Sequence, residues 1–179
     1  MSKTLSGVRV AILAEDLYED SELWYPYYRL LEEGADVTIV GSGRQETFKG
    51  KLGMPVKADV SIDDVSSDQF DGVIVPGGFS PDYMRRKPPM IDFIREIGEA
   101  GKPVGAICHG AWALTSAQLV RGRNIACYFS IRDDVEGAGG TFVDEAVVVD
   151  GNVITSRIPD DLPAFMPPII EALARAKSS

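Results

Sequence analysis

Four near-continuous apolar runs of strand length punctuate the chain: VRVAILA (8–14), DVTIVG (36–41), GVIVPGG (72–78, closing on a Pro-Gly-Gly turn) and KPVGAI (102–107). Runs without alternation fit strands covered on both faces, as in a parallel sheet. Between them the period changes. In SELWYPYYRLLEEG, Leu23, Tyr27, Leu30 and Leu31 fall at i, i+4, i+7 and i+8. This predicts an amphipathic helix ending at Gly34, with Pro26 marking a kink or a late start. PPMIDFIREIGEAG repeats the pattern at 90, 93, 94 and 97, with prolines at its start and Gly101 at its exit. GAWALTSAQL is apolar nearly all round, a helix packed on several sides.

Shorter signals fill the gaps. TFKGKLGMPVKAD (47–59) reads as two short strands around a glycine turn, RNIACY as a further strand, and EAVVVDGNVITSR as a hairpin about Asp150-Gly151. The tail DDLPAFMPPIIEALARAK is apolar at 162, 165, 166, 169, 170 and 173, and Pro167 and Pro168 argue against one straight helix. Strands alternating with helices predict an α/β fold with a mostly parallel sheet. With no internal repeat or linker, residues 1–179 are expected to form a single domain.

Composition narrows the function classes. A formal net charge of -9 leaves no basic surplus for nucleic acid or an anionic membrane. No run of about 18 apolar residues exists to span a bilayer, and MSKTLSGVRVAIL has no apolar core of a secretory signal. Two cysteines, at 108 and 127, make neither a disulfide framework nor a zinc pattern, so a cytoplasmic, reduced protein is expected. The single histidine and scattered acids form no ligand cluster, and no metal or organic cofactor is implied.

The candidate chemistry sits in GAICHG (105–110). Cys108 falls where a buried strand should turn into a helix, at the carboxyl end of the sheet where ligands collect. Small residues at Ala106 and Gly110 suit a sharp strand-to-helix turn, the logic of a nucleophile elbow. There the thiol faces a helix N-terminus and the His109 N–H points at an oxyanion. A second donor is available from the Pro76-Gly77-Gly78 turn, with Gly78 N–H preferred. A helix terminus contributes about 0.3–1 kcal/mol, up to ~2 when partly buried. At about 1.36 kcal/mol per unit that lowers a thiol pKa by roughly one unit, so a further activating group is needed. Taken alone, Cys108 fits an inert core thiol about as well as a nucleophile. Cys127, in NIACYF, has none of these features.

The lone histidine excludes the base position of class I glutamine amidotransferases and α/β-hydrolases, far downstream of the nucleophile. A side chain one residue along an elbow generally diverges from its neighbour. His109 is therefore a poor partner unless locally oriented, and as a base it needs an acid to fix its tautomer.

AICHG, VIVPGG, LYEDSELWYPYYRLLEEG, VEGAGGTFVDEAVVVDGNVITSR and PDDLPAF, in this order, resemble the ThiJ/PfpI superfamily across essentially the whole chain. The superfamily includes PfpI-type intracellular cysteine proteases and glyoxalase and protein-deglycase relatives; the SPDYMR segment is similar to YhbO-like general stress proteins. The resemblance implies a flavodoxin-like three-layer α/β sandwich, akin to class I glutamine amidotransferases. It implies Cys108 as nucleophile, Glu19 as the buried acid bonded to the thiol, Gly78 as the oxyanion-side glycine, and His109 as the adjacent histidine. Asp82 matches an acid that approaches that histidine from a neighbouring subunit, implying a homodimer or higher homo-oligomer. Read without the resemblance, Glu19 is a solvated loop acid or a helix N-terminal carboxylate.

Two departures stand out. Ala111-Trp112 replaces the frequent Pro-Gln, making Trp112 either core or part of a bulkier substrate rim, and Asp82 stands where PfpI-type proteases carry Glu. The expected function is a cysteine hydrolase or hydratase acting on reactive carbonyls or early glycation adducts. A PfpI-type peptidase and a redox sensor or chaperone with an oxidisable Cys108 are the alternatives.

Overall fold

The computed structural model describes residues 4–177. Its centre is a seven-stranded sheet built from β1 (Arg9–Ala14), β2 (Asp36–Gly41), β5 (Val60–Ser61), β6 (Gly72–Val75), β7 (Val104–Ile107), β10 (Val147–Asp150) and β11 (Val153–Ser156). The order is β10-β11-β7-β6-β1-β2-β5, parallel throughout except for the β10–β11 hairpin. The four apolar runs are therefore the central strands, and β6, β7 and β11 are buried along their whole length.

Alternate side chains of each strand feed two cores. Val10, Ile12, Ile74 and Ile107 pack with α1 (Asp20–Glu32) and α6 (Leu162–Lys177). Ala11, Leu13, Val73, Val75 and Ala106 pack on the other side with α2 (Ser80–Arg85), α3 (Pro88–Glu99), α4 (Ala111–Ser116) and α5 (Arg132–Gly137). The result is the expected three-layer α/β sandwich with a flavodoxin-like parallel sheet.

Several details differ from the reading of the sequence. The tail is one continuous helix, α6, despite Pro167 and Pro168. Pro167 faces solvent and Pro168 is half-buried, so the carbonyls they deprive of a donor lie on the outer side, within reach of water. Phe165, Met166, Ile169 and Leu173 are buried and hold the helix to the sheet. In α1 the buried stripe is Glu22, Leu23, Pro26 and Leu30, whereas Leu31 is exposed. RNIACY supplies only a two-residue strand, β8 (Asn124–Ile125), paired with β9 (Thr141–Phe142) outside the main sheet. The hairpin of β3 (Thr47–Lys49) and β4 (Pro55–Lys57) forms as expected. Its tip is clamped to α1, because the Asp20 carboxylate accepts from Leu52 N (2.9 Å) and Met54 N (3.0 Å).

Candidate active site

The chain leaves β1 toward β2 on one side and returns to β6 on the other, which opens a crevice at the carboxyl ends of these strands. Cys108 stands at its edge, directly after β7. It is one of three non-glycine residues with positive φ among the described residues, at +59°. Such a conformation stores on the order of 1–3 kcal/mol and persists only where its surroundings enforce it. They do so here: a Cβ at Gly110 would stand 2.6 Å from the Val75 carbonyl oxygen. The turn runs through a short 3₁₀ segment, Cys108–Gly110, into α4, which has only six residues. Local donors must therefore do more for the thiol than the helix dipole expected from the sequence.

Two donors are present. The backbone N–H groups of His109 and Gly78 lie near the sulfur and favour its ionised form. Gly78 can deliver its amide because the 77–79 turn lies flat on the loop after β1. Phe79 N donates to Leu17 O (2.8 Å), and Gly78 itself sits at φ +69°. A Cβ at Gly78 would fall 2.3 Å from Leu17 O and 2.6 Å from Glu19 N. We expect Gly78→Ala to lower unfolding free energy by about 2–4 kcal/mol, since both contacts are with backbone and φ is left-handed. Urea titration checks this; a change under about 0.5 kcal/mol would mean that the turn is not held as described.

The carboxyl facing the thiol belongs to Glu22, not Glu19. Glu22 is fully buried on the inner stripe of α1, and its Oε2 accepts from Gly77 N at 2.7 Å. A Cβ on Gly77 would lie 2.5 Å from Glu22 Oε2 and 2.9 Å from Cys108 Cβ, so acid, cysteine and glycine turn converge on one point. Glu22 Oε1 is buried with no hydrogen-bond partner among the described residues. Burial raises the Glu22 pKa to about 8, so the acid holds its proton at neutral pH. Burial, reinforced by charge on Glu22, pushes the Cys108 thiol up to about 12. A protonated Glu22 removes that repulsion and offers an O–H to the sulfur, leaving the two amides to support the thiolate.

Glu19 lies at the head of α1, where it pairs with Lys51 Nζ at 2.7 Å. The resemblance implies Glu19 as the buried acid; the structure puts that acid three residues further along, at Glu22. Helical spacing in the sequence does not separate the two acids: Glu22 lies four residues before Pro26, and Glu19 four before Leu23 and seven before Pro26, but α1 begins at Asp20 and leaves Glu19 as its extended N-cap residue. Lys51, on the β3–β4 hairpin, went unnoticed in the sequence and carries no motif. Its charge acts on Cys108 and Glu22.

The His109 ring turns back rather than diverging: Nδ1 lies 3.3 Å from Cys108 Sγ. Tyr128 stacks on the ring at 4.9 Å between centroids, and Trp112 meets it edge-on at 5.0 Å. Burial, aided by Lys51, lowers its pKa, so the ring is neutral at pH 7. No carboxylate among the described residues bonds this imidazole. Asp82 lies on α2 and pairs with Arg86 of its own chain. Trp112 is half-buried, and its indole N–H donates to Asp134 at 3.0 Å. Cys127 is buried, with its thiol pushed up to about 12 by burial.

Residues 8–172 match the DJ-1/PfpI family. The chain belongs to that family. It is 41% identical to the deglycase PfpI of Pyrococcus furiosus over 166 residues, 93% of this chain and 99% of the relative. It is 43% identical to protein/nucleic acid deglycase 2 of Escherichia coli over 159 residues, covering 88% and 92%. Among solved structures, Drosophila melanogaster DJ-1beta superposes with a TM-score of 0.87 at 27% identity, covering 97% of this chain and 95% of that one. Like those folds, this DJ-1/PfpI chain is a helix-covered parallel sheet, and no helix among its described residues is long and apolar enough to cross a membrane.

Proposed function

We propose that this protein is a cysteine-dependent hydrolase or hydratase acting on reactive carbonyls or the early adducts they form with thiols and amines. The observation that carries this reading is the buried, protonated Glu22 set against a thiol flanked by two amide donors. In the proposed sequence, the Cys108 thiolate attacks the aldehyde carbon, or the adduct carbon with release of the free thiol or amine, and a hemithioacetal forms. Glu22 gives a proton to the developing alkoxide, or to the departing thiol or amine, while the Gly78 and His109 amides hold negative charge on oxygen. The Glu22 carboxylate then takes the proton from the hemithioacetal carbon and returns it to the neighbouring carbon of the resulting enediol, which leaves a 2-hydroxyacyl thioester on Cys108; water hydrolyses that thioester to the hydroxy acid and the free thiol. The names of the deglycase relatives support the same substrate class.

In this reading residues 1–179 act as a single domain, in the cytoplasm, as a homodimer or higher homo-oligomer. The exposed Phe79 and Phe129 rings beside the site support the oligomeric part. A peptidase reading needs an acid on His109, and in this chain Asp82 is engaged by Arg86.

The test offers purified protein methylglyoxal, its adducts with N-acetylcysteine and N-acetyl-lysine, and unfolded casein. Proton NMR is expected to show lactate appearing from methylglyoxal or with release of free thiol or amine. Casein cleavage with the carbonyls and adducts untouched would instead make the protein a peptidase.

A further inference from the structure

A histidine one residue after an elbow cysteine has no local reason to point at the sulfur, yet His109 Nδ1 lies 3.3 Å from Cys108 Sγ. Holding an imidazole in one rotamer and one tautomer normally falls to a hydrogen bond on its other nitrogen. Here the one hydrogen-bonding contact of the imidazole among the described residues is with the thiol itself. What surrounds the ring is aromatic. Tyr128 lies nearly parallel to it, with 4.9 Å between centroids and 27° between planes, and the Tyr128 amide donates to the Cys108 carbonyl at 3.2 Å. Trp112 meets the imidazole edge-on, at 5.0 Å and 67°.

Trp112 is braced from two neighbouring helices. It stands on α4, and its indole N–H donates to Asp134 of α5 at 3.0 Å. Arg85, the last residue of α2, lies over the indole at 5.9 Å. The Arg85 Nε in turn donates at 2.8 Å to Ser116 Oγ, one turn along α4 from Trp112. A hydrogen bond from one side and a cation from the other thus fix a bulky ring against the imidazole. An aromatic contact of this kind is worth about two- to tenfold in the population of one side-chain rotamer over another. Held toward the sulfur, a neutral imidazole with its proton on Nδ1 donates to the thiolate and adds to the two backbone amides there.

We propose that Trp112 is a positioning residue, which keeps the His109 imidazole in the rotamer and tautomer that donate to the Cys108 thiolate, where other histidines of this kind rely on an acid. This role rests on Cys108 being the reactive thiol of the proposed function, and it is read from the thiol and the ring rather than from turnover.

Alkylation of Cys108 by iodoacetamide at pH 8, followed on its peptide by mass spectrometry, reports the thiolate. Trp112→Leu keeps an apolar side chain on α4 but no ring. It is expected to slow alkylation about three- to tenfold, as when one charge-assisted donor is lost and a more nucleophilic thiolate partly compensates. Trp112→Phe, which keeps a ring, should retain more than about half of the wild-type rate. In a His109→Ala background, Trp112→Leu should cost less than about twofold, because its effect passes through the imidazole. His109 is the only histidine of the chain, so untagged protein gives a single imidazole in proton–nitrogen NMR spectra. At the same pH the wild type should show one fixed tautomer and Trp112→Leu the averaged signals of two.

Wild-type alkylation in Trp112→Leu, the same loss with and without His109, or a tautomer unchanged by the substitution overturns the proposal. If Trp112→Leu does not fold, Asp134→Ala takes its place, an exposed change that removes the anchor of the indole. Slower alkylation and mixed tautomers are expected there too, and wild-type readings overturn the proposal. These readings are the same whether or not methylglyoxal is turned over, so this role and the proposed function fail separately.

Discussion

Cys108→Ala is expected to leave no measurable turnover of methylglyoxal or its thiol adduct, a loss of at least about 10³-fold, because every covalent step passes through this sulfur. Cys127→Ala should stay within about threefold of wild type, since its thiol lies outside the crevice and is buried in apolar surroundings. Alanine at 108 keeps a Cβ in the left-handed conformation, so the backbone strain is the same before and after substitution. A matching circular dichroism melt would confirm that only chemistry was removed. Turnover by Cys108→Ala at the wild-type rate would remove the thiol from the mechanism and with it the proposed function.

Glu22→Gln is the second large effect. Glutamine keeps the shape of a protonated carboxyl and can still accept from Gly77 N, but it cannot pass a proton on. A fall in kcat of about 10²–10⁴-fold follows if Glu22 is the acid–base group. Glu19→Gln should change kcat by less than about fivefold, because an ion pair of this partly exposed kind contributes little. Equal losses at both positions would contradict the assignment.

The same substitution has a thermodynamic signature. The folded state holds the Glu22 proton to about 8, whereas an unfolded glutamate releases it near 4.5. Between these values the folded state binds more protons, so wild-type stability falls as pH rises through that window and levels off above it. The fall is on the order of 3–5 kcal/mol, and Glu22→Gln should flatten it. Urea unfolding from pH 5 to pH 9 measures the slope directly; identical slopes in the two proteins would mean that Glu22 is ionised in the folded state.

The pattern of the chain was legible where burial is complete. β1, β6 and β7 are read from apolar runs because both of their faces are covered, and β2 from a run that is buried over its last three residues. The junction at Cys108 is read from the small residues that a tight turn requires. The helix carrying the acid is legible as well, but its pattern does not say which glutamate faces the thiol. Residues 15–22 hold five acids, and charge alone does not distinguish a solvated one from a buried one. Helical phase does not either, since Glu19 stands four residues before Leu23 and seven before Pro26; the difference is that α1 begins at Asp20, with Glu19 left outside as the extended N-cap residue. Lys51 could not be read at all: its place at the site depends on Asp20 clamping the β3–β4 hairpin to α1, a contact with no local signature. The prolines of α6 misled because propensity was weighed without knowing which side of the helix faces water.

The strand order has a consequence for how the protein comes to be active. β7, which carries Cys108 at its end, is flanked by β6 and by β11, and β11 lies far downstream at Val153–Ser156. Glu22 comes from the first helix and Gly78 from the loop after β6, so the thiol's surroundings are assembled from distant parts of the chain. A nascent chain halted after Cys108 would have the reactive side chain but lack the strand that flanks β7, leaving an unpaired edge. Reactivity should therefore appear only with the last cooperative step of refolding, slowly, as parallel long-range pairing dictates. This order of events keeps an electrophile-seeking thiol silent until the rest of the molecule is in place.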